Sequence, residues 1–411
     1  MIDYAEIEGL CKDNSAVLAK FVDDFLLNFC ADRERLPEAF IREFEPYEHI
    51  VRVMPMQWTQ MLLSQYIAHR LFRHGGLARK YRTHPAILSR SKNERAYLEA
   101  QITHPWRWCF SRVLERPHKD FFEMEDVCTE EIFLLYSPGM TRQIESDGLP
   151  MITLLLVGNN GACWQTYGTI MPFMGLFAFD PLFVAQQINL LAHRMDEVPA
   201  VMDRSPLPFA MLWHGGNLPA MVHRGDFLVY HRTDLHRVNI PLDLLRTHFR
   251  IEKEGSVVHL SLKYWSKHPH FAEAFYDEKR RHLLVTAMTN RGYEKLVAAF
   301  AECNVKLPAT AHRRGSMAAV SMISKVFGYD PTDHPYQELF AEPVSEMESK
   351  ESERINRFLA LYVQSRNDGT DCDIDATARS VGLDPAAARE IVATVDRKFR
   401  ELERRQGRGR K

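Results

Sequence analysis

Apolar residues recur at helical spacing through the first 115 residues of the chain. The segments Ala16–Leu27 and Met56–Phe72 each carry such a pattern, and the second is followed by His74-Gly75-Gly76, where Gly suits a left-handed helix end. Lys92–Ile102 predicts a third helix. It should end at His104, because a residue that precedes proline disfavours the helical conformation. The pattern predicts a helical N-terminal region.

From residue 116 to residue 283 the pattern changes to short alternating runs, which are typical of strands. The clearest pair is Met151–Val157 and Ala162–Ile170, joined by a Gly-Asn-Asn-Gly turn in which Asn-Gly accepts positive φ. Further strands are predicted at Phe121–Val127, Glu131–Tyr136, Pro208–His214, Phe227–His231 and Ser256–Tyr264, with a turn at Ser137–Gly139 and a buried helix at Phe183–Met195. We expect a small barrel or a bent antiparallel sheet.

After this β-rich region the helical spacing returns. Leu283–Met288 is strand-like, Tyr293–Cys303 and Met317–Val326 are helical, and no clear strand pattern follows Met288. The stretch 341–350 is acidic and contains Pro343, so we interpret it as a linker. The fold class is therefore α+β. Its predicted parts are a helical domain 1–115, a β-rich domain 116–283, an α/β segment 284–340 packed on that domain, the linker 341–350, and a trihelical domain with a basic tail, 351–411.

The last part of the chain carries the most specific pattern. Ala378 is small enough for two helices to approach closely, and Gly382 suits a left-handed turn. Asp384 can cap the next helix, with Pro385 at its first position. Ile355, Phe358, Leu359, Tyr362 and Val363 form one apolar stripe on the preceding helix, while Ala388 and Ile391 face inward. This segment of about fifty-five residues resembles the trihelical helix-turn-helix of many transcription factors.

The predicted reading surface departs from that family. Recognition helices usually present Arg, Lys, Asn, Gln, Ser or Thr to base edges. Here the helix starts with Asp-Pro-Ala-Ala, and only Arg389 and Glu390 could reach a base. The candidate residues for contact with nucleic acid or a partner are therefore Arg389 and, in the tail, Arg397, Lys398, Arg400, Arg404 and Arg405. Such a tail binds phosphates without sequence preference. A small packing domain with a solubilising tail is the alternative interpretation.

The charge of the rest of the chain adds little to the functional prediction. The net charge is −2, so the whole chain is drawn neither to nucleic acid nor to an anionic membrane. Residues 70–95 form a second basic stretch, which either binds anions or pairs with the acidic first sixty residues.

Seven scattered cysteines without a C-x-x-C pair indicate a reducing, cytoplasmic setting, and the acidic N-terminus does not look like a signal peptide. No apolar run is long enough to span a membrane.

Motifs for cofactor chemistry are missing from the sequence. It has neither a phosphate-binding G-x-x-x-x-G-K-[ST] loop nor a G-x-S-x-G elbow, and no histidine set has diagnostic metal-ligand spacing. We therefore expect no cofactor and no metal site.

Three functions stay open. The first is a cytoplasmic binding or regulatory protein that acts through residues 351–411. The second is an enzyme with a site built from His214, His231, His236, His268 and His270. The third is an oligomeric scaffold.

Overall fold

The computed structural model describes residues 2–216, 218–265, 271–340, 346–367 and 372–393. Contacts divide the chain into two compact units, Met1–Gln337 and Glu338–Lys411, which we call unit 1 and unit 2. The finer domain boundaries at residues 115, 283 and 340 remain predictions. Among the described residues, no helix combines the length and the apolar character that crossing a membrane requires.

Helices dominate the first hundred residues, as the apolar spacing predicts. Asp3 caps the first helix by accepting hydrogen bonds from the backbone N–H groups of Ala5 and Glu6. The helices of unit 1 are α1 (Tyr4–Val17), α2 (Leu27–Glu34), α3 (Leu36–Phe44), α4 (Glu48–Val51), α5 (Met56–Phe72), α6 (Ala78–Tyr81), α7 (Pro85–Leu88), α8 (Lys92–Thr103), α9 (Pro138–Asp147), α10 (Asp180–Ile188), α11 (Val198–Arg204), α12 (Pro206–Met211), α13 (Leu242–Leu245), α14 (Asn290–Glu302) and α15 (Met317–Phe327). A π-helical segment, Leu18–Leu26, joins α1 to α2, and short 3₁₀ turns lie at Glu45–Tyr47, Met195–Glu197 and Leu212–Gly215.

The first sheet closes on itself. Its strands are β1 (Arg107–His118), β2 (Phe121–Asp126), β3 (Ile132–Tyr136), β4 (Ile152–Asn159), β5 (Trp164–Thr166) and β6 (Met171–Phe173). They pair in the order β1-β2-β3-β5-β4-β6, and β1 also pairs with β4, so five strands form a barrel-like ring. The predicted small barrel and the predicted hairpin of Met151–Val157 with Ala162–Ile170 are confirmed, since β4 and β5 are antiparallel neighbours.

The second sheet is open and antiparallel. After the short pair β7 (Val222–His223) and β8 (Asp226–Phe227) come β9 (Val229–His236), β10 (Phe249–Glu254), β11 (Val257–Leu262), β12 (Ala272–Asp277), β13 (His282–Ala287) and β14 (Arg313–Ser316). The order is β10-β11-β12-β13-β9-β14. One face is apolar and packs on α14, whose Leu296 and Phe300 are fully buried. Burying a side chain of this size stabilises the fold by about 1.5–3 kcal/mol.

The opposite face of the second sheet is polar. Strand register places Arg232, Asp234 and His236 of β9 on the same face as His282 of β13 and His259 of β11, because residues directly opposite in an antiparallel pair share a face. The segment 329–337, which we call the strap, lies against these side chains. The strap therefore covers the titratable groups on this face of the sheet.

Three local predictions are wrong. Pro208–His214 forms α12 and a 3₁₀ turn instead of a strand, because Pro206 has its fixed φ at the first helical position, which favours a helix start. Ser137–Gly139 is not a simple turn, since the Ser137 hydroxyl caps α9 by accepting from the Met140 N–H. The strand Arg313–Ser316 falls where no strand was expected. In addition, β1 starts at Arg107, inside the region predicted to be helical.

The described residues of unit 2 include three α-helical segments around its own core. They are α16 (Glu346–Asn367), α17 (Ile374–Ser380) and residues 385–393. Phe358, Ala378 and Ala388 are fully buried, and Leu383 and Val392 complete the apolar cluster. Gly382 takes the left-handed conformation, with φ of 73°, as its turn position requires. The α+β fold class is confirmed, whereas the helix-turn-helix character of this unit remains a resemblance.

Candidate functional site

Arg389, a predicted contact residue, lies on the third helix of unit 2 and pairs with an acidic side chain. Its Nη1 atom is 3.2 Å from Oδ2 of Asp375, and the same carboxylate oxygen is 4.0 Å from Nη2 of Arg379. Arg389 is more exposed than Asp375, so the guanidinium is open to solvent on one side. The other five predicted contact residues, Arg397, Lys398, Arg400, Arg404 and Arg405, lie outside the described residues.

The start of that helix offers little to a base edge. The carboxylate of Asp384 accepts a hydrogen bond from the Ala387 N–H at 3.1 Å, which caps the helix. Ala386 and Ala387 present only methyl groups, and an aspartate at a helix start repels phosphate. The start of this helix therefore lacks the polar side chains that sequence reading requires.

Three of the histidines predicted for an enzymatic site are described by the structure, and these three do not come together. His214 lies in a 3₁₀ turn beside Trp58, and burial lowers its pKa. His231 is buried against the ring of Tyr293, with centroids 5.1 Å apart, and burial lowers the pKa of His231 to about 3. His236 lies on the opposite face of the second sheet. His268 and His270 fall outside the described residues.

Among the three described candidates, His236 lies beside a larger polar network. Its ring stacks on that of His282, with centroids 4.7 Å apart. The Nε2 atom of His282 is 3.2 Å from Oδ1 of Asp234, and its Nδ1 atom is 2.9 Å from the hydroxyl oxygen of Tyr336. We call Asp234, His282 and Tyr336 the triad. Its three side chains form a continuous line of carboxylate, imidazole and phenol.

The environment sets the charges of the triad. Burial lowers the pKa of His282, and the carboxylate of Asp234 opposes that effect. Burial by itself would raise the pKa of Asp234, but its two hydrogen bonds from Arg232 hold that pKa below the ordinary value. Burial raises the pKa of Tyr336. At neutral pH the triad therefore consists of a carboxylate, a neutral imidazole and a neutral phenol.

The strap holds the triad in place. Tyr336 belongs to the strap and is 3% exposed. The guanidinium of Arg232 donates to the carbonyl of Asp333 at 3.1 Å, and the hydroxyl of Tyr230 donates to the carbonyl of Thr332 at 3.2 Å. His334 packs on Phe275, and burial lowers the pKa of His334 to about 4. The strap is thus fastened through polar side chains of β9 and β13.

Such a line of groups can hold and move a proton. With the N–H of the imidazole directed at the carboxylate of Asp234, the other ring nitrogen of His282 accepts the proton of the Tyr336 hydroxyl. Sequence spacing does not reveal it, since 48 residues separate His282 from Asp234 and 54 separate it from Tyr336. Within the described ranges, no group of three or more His, Cys, Asp or Glu side chains is arranged to hold a metal ion.

The second basic stretch, residues 70–95, is partly neutralised by its own fold. Arg70 lies 2.6 Å from Glu43 and Lys80 lies 2.5 Å from Glu34, so two of its cations pair with acids of the first sixty residues. Arg73 contacts Asp203 at 3.1 Å. The first two pairs agree with the interpretation in which this stretch pairs with the acidic first sixty residues. All three pairs leave the stretch less charge for an external anion.

Comparisons of the chain with protein-family models, with curated protein sequences and with solved structures return no match.

Proposed function

We propose that the chain is a binding or regulatory protein that contacts nucleic-acid backbones through unit 2, without reading base sequence. The observation that carries this proposal is the basic sequence of residues 397–411, which contrasts with the neutralised Arg389 in the described part of unit 2. A partner protein is the alternative occupant of the same unit.

Charge supports the phosphate backbone as the target. Residues 397–411 contain eight Lys or Arg and only two acids, Glu401 and Glu403. Clustered cations displace the counterions of nucleic acid, and that release drives binding independently of sequence. The rest of the chain does not supply this attraction, because the net charge of the whole chain is −2.

The same helices argue against base recognition. Asp375 pairs with the guanidinium groups of Arg379 and Arg389. Asp384 and two alanines stand at the start of the third helix, where Asp384 caps it. Discrimination between bases needs about 1–3 kcal/mol from each well-placed bidentate contact. The start of the third helix offers no side chain of that kind, so the proposal places binding on the tail.

A charge-matched pair of variants tests the proposal in the full chain. The test variant replaces Arg397, Lys398, Arg400, Arg404 and Arg405 by Gln, and the control replaces five exposed cations of unit 1, Lys20, Arg42, Arg142, Lys279 and Lys306, by Gln. Fluorescence anisotropy with labelled mixed-sequence DNA and RNA at low salt reports the affinity.

Both variants lose the same net charge, so only position distinguishes them. We expect the tail variant to bind at least tenfold more weakly and the control to stay within about twofold of the wild type. Equal losses would contradict a role for unit 2. Absence of binding by the wild-type chain would exclude nucleic acid and leave the partner protein as the occupant.

A second candidate function is proton-transfer catalysis at the triad, which is supported by the continuous hydrogen bonding of Asp234, His282 and Tyr336. A panel of activated carboxylic and phosphoric esters tests it with wild-type protein, His282→Gln and the exposed control His193→Gln. Turnover that disappears only in His282→Gln supports catalysis. No turnover by the wild type, or equal turnover by both variants, rejects it for these reactions.

A further inference from the structure

Two cysteines that are far apart in sequence lie side by side in unit 1. Cys11 of α1 and Cys163, which directly precedes β5, have their Sγ atoms 3.3 Å apart. Cys11 is fully buried and Cys163 is 3% exposed, in a small cluster with Phe121 and Tyr136. A pair of thiols in contact needs only a small movement to reach disulfide bonding distance.

Amide side chains position the pair. Asn160 donates a hydrogen bond from Nδ2 to Sγ of Cys11 at 3.2 Å, and its Oδ1 accepts from the N–H of Cys163 at 2.9 Å. Gln165 donates from Nε2 to the carbonyl of Cys11 at 3.0 Å. Asn160 of the β4–β5 turn and Gln165 of β5 therefore hold the two cysteine residues in place.

The two thiols are chemically unequal. The hydrogen bond from Cys163 lowers the pKa of Cys11, against the opposing effect of burial. The same hydrogen bond, together with burial, raises the pKa of Cys163. Cys11 is thus the better nucleophile of the pair. Once Cys11 has reacted, the hydrogen bond that raises the pKa of Cys163 is gone.

The helix that carries Cys11 is lightly attached. Cys11 is the single buried residue of α1, and Tyr4 and Ile7 are only partly buried against the same cluster. Gly9 lowers the helix propensity of the same segment. A helix with so little buried surface opens locally at low cost in free energy. Opening would expose both thiols to a small reagent.

We propose that Cys11 and Cys163 are a thiol–disulfide exchange site that reacts with a low-molecular-weight disulfide and thereby staples α1 to the β4–β5 turn. The Cys11 thiolate attacks one sulfur of the reagent R–S–S–R, forms a mixed disulfide and releases one R–S⁻. Cys163 then attacks Sγ of Cys11, closes the Cys11–Cys163 bond and releases the second R–S⁻. The two thiol protons pass to the released thiolates, giving two R–SH.

Peptide mapping of the native full-length chain tests bond formation. The protein is treated with oxidised glutathione, its remaining thiols are alkylated, and it is digested with trypsin. We expect residues 1–12 and 143–194 to be joined, with the loss of two hydrogen atoms and with the other five cysteines alkylated. Cys303→Ser should give the same link, and both Cys11→Ser and Cys163→Ala should give none.

Two results would overturn the proposal. One is full alkylation of all seven cysteines in the oxidised wild type, and the other is a link that forms equally among other cysteines. A circular dichroism spectrum identifies any variant that fails to fold, and the second cysteine variant then supplies the comparison.

Trypsin cleavage after Lys12 under native conditions tests whether the disulfide fixes α1 to the β4–β5 turn. Cleavage requires α1 to leave the sheet, so the oxidised protein should be cut at least tenfold more slowly, and dithiothreitol should restore the original rate. Cys303→Ser should behave as the wild type does. Unchanged cleavage in a fully linked sample would contradict the stapling role.

Discussion

Asp375 holds the guanidinium of Arg389, with Oδ2 of the carboxylate 3.2 Å from Nη1 of the arginine. Arg389 is the one predicted contact residue that the structure describes, and this pair neutralises it on the surface of unit 2. The pairing explains why a unit that resembles a helix-turn-helix does not offer a base-reading side chain at its most favourable position.

Replacing Asp375 by Asn should strengthen binding to nucleic acid. The change frees Arg379 and Arg389 and removes a carboxylate that repels phosphate, so we expect about three- to tenfold tighter binding at low salt. The surface pair contributes little to stability, so the free energy of unfolding should hardly change. Asp243→Asn, on an exposed carboxylate of unit 1, is the control. Equal affinity of both variants for mixed-sequence DNA in anisotropy titrations would contradict this role of Asp375.

Asp234→Asn should destabilise unit 1. The carboxylate accepts two hydrogen bonds from Arg232 and one contact from His282, and the amide cannot replace the charge. We expect a loss of about 2–3 kcal/mol in the free energy of unfolding, measured with urea. Asp243→Asn serves again as the exposed control and should cost less than about 0.5 kcal/mol. A small loss for Asp234→Asn would mean that the strap does not depend on the triad.

The sequence predicts elements better than it predicts sites. Period-3.6 spacing identifies Met56–Phe72 and the Asn-Gly turn identifies the β4–β5 hairpin, because local conformational preference decides both. The strand predicted at Pro208–His214 is wrong because a short apolar run fits a buried helix as well as a strand. The triad forms because β9 pairs with β13 in this register and because the strap brings Tyr336 back onto the sheet. Both depend on contacts between residues far apart in sequence, which local sequence patterns do not predict.

Acid should weaken the fold through His231. Its pKa is about 3 in the folded chain and about 6.5 in the unfolded chain, so the unfolded state binds the proton first as pH falls. Stability from the neutral ring is complete above pH 6.5 and is lost as the pH falls toward about 3. His231→Phe keeps the ring contact with Tyr293 and removes the titration.

Urea unfolding of both proteins at several pH values checks this effect. The free energy of unfolding of the wild type should fall relative to that of His231→Phe by up to about 1.4 kcal/mol per pH unit below pH 6.5. Parallel pH profiles for the two proteins would show that His231 titrates normally in the fold.

Two glycines should respond in opposite directions to alanine. A Cβ atom on Gly76 would lie 2.4 Å from the carbonyl oxygen of Leu71, so Gly76→Ala should cost about 3 kcal/mol. Gly9 of α1 has no neighbouring atom within 4 Å of such a Cβ, and Gly9→Ala should stabilise the helix by up to about 1 kcal/mol. Thermal and urea unfolding measure both. A neutral Gly76→Ala would show that the α5–α6 turn can shift to admit a methyl group.

The salt dependence of binding tests the central claim most directly. Anisotropy titrations of the wild-type chain with several duplexes of unrelated sequence give the dissociation constants between about 50 and 200 mM salt. We predict constants that agree within about threefold across sequences and a log–log slope of association against salt between about −4 and −7, as five to eight tail cations require. One duplex bound a hundredfold more tightly than the rest, a slope near zero, or no binding at the lowest salt would contradict the account.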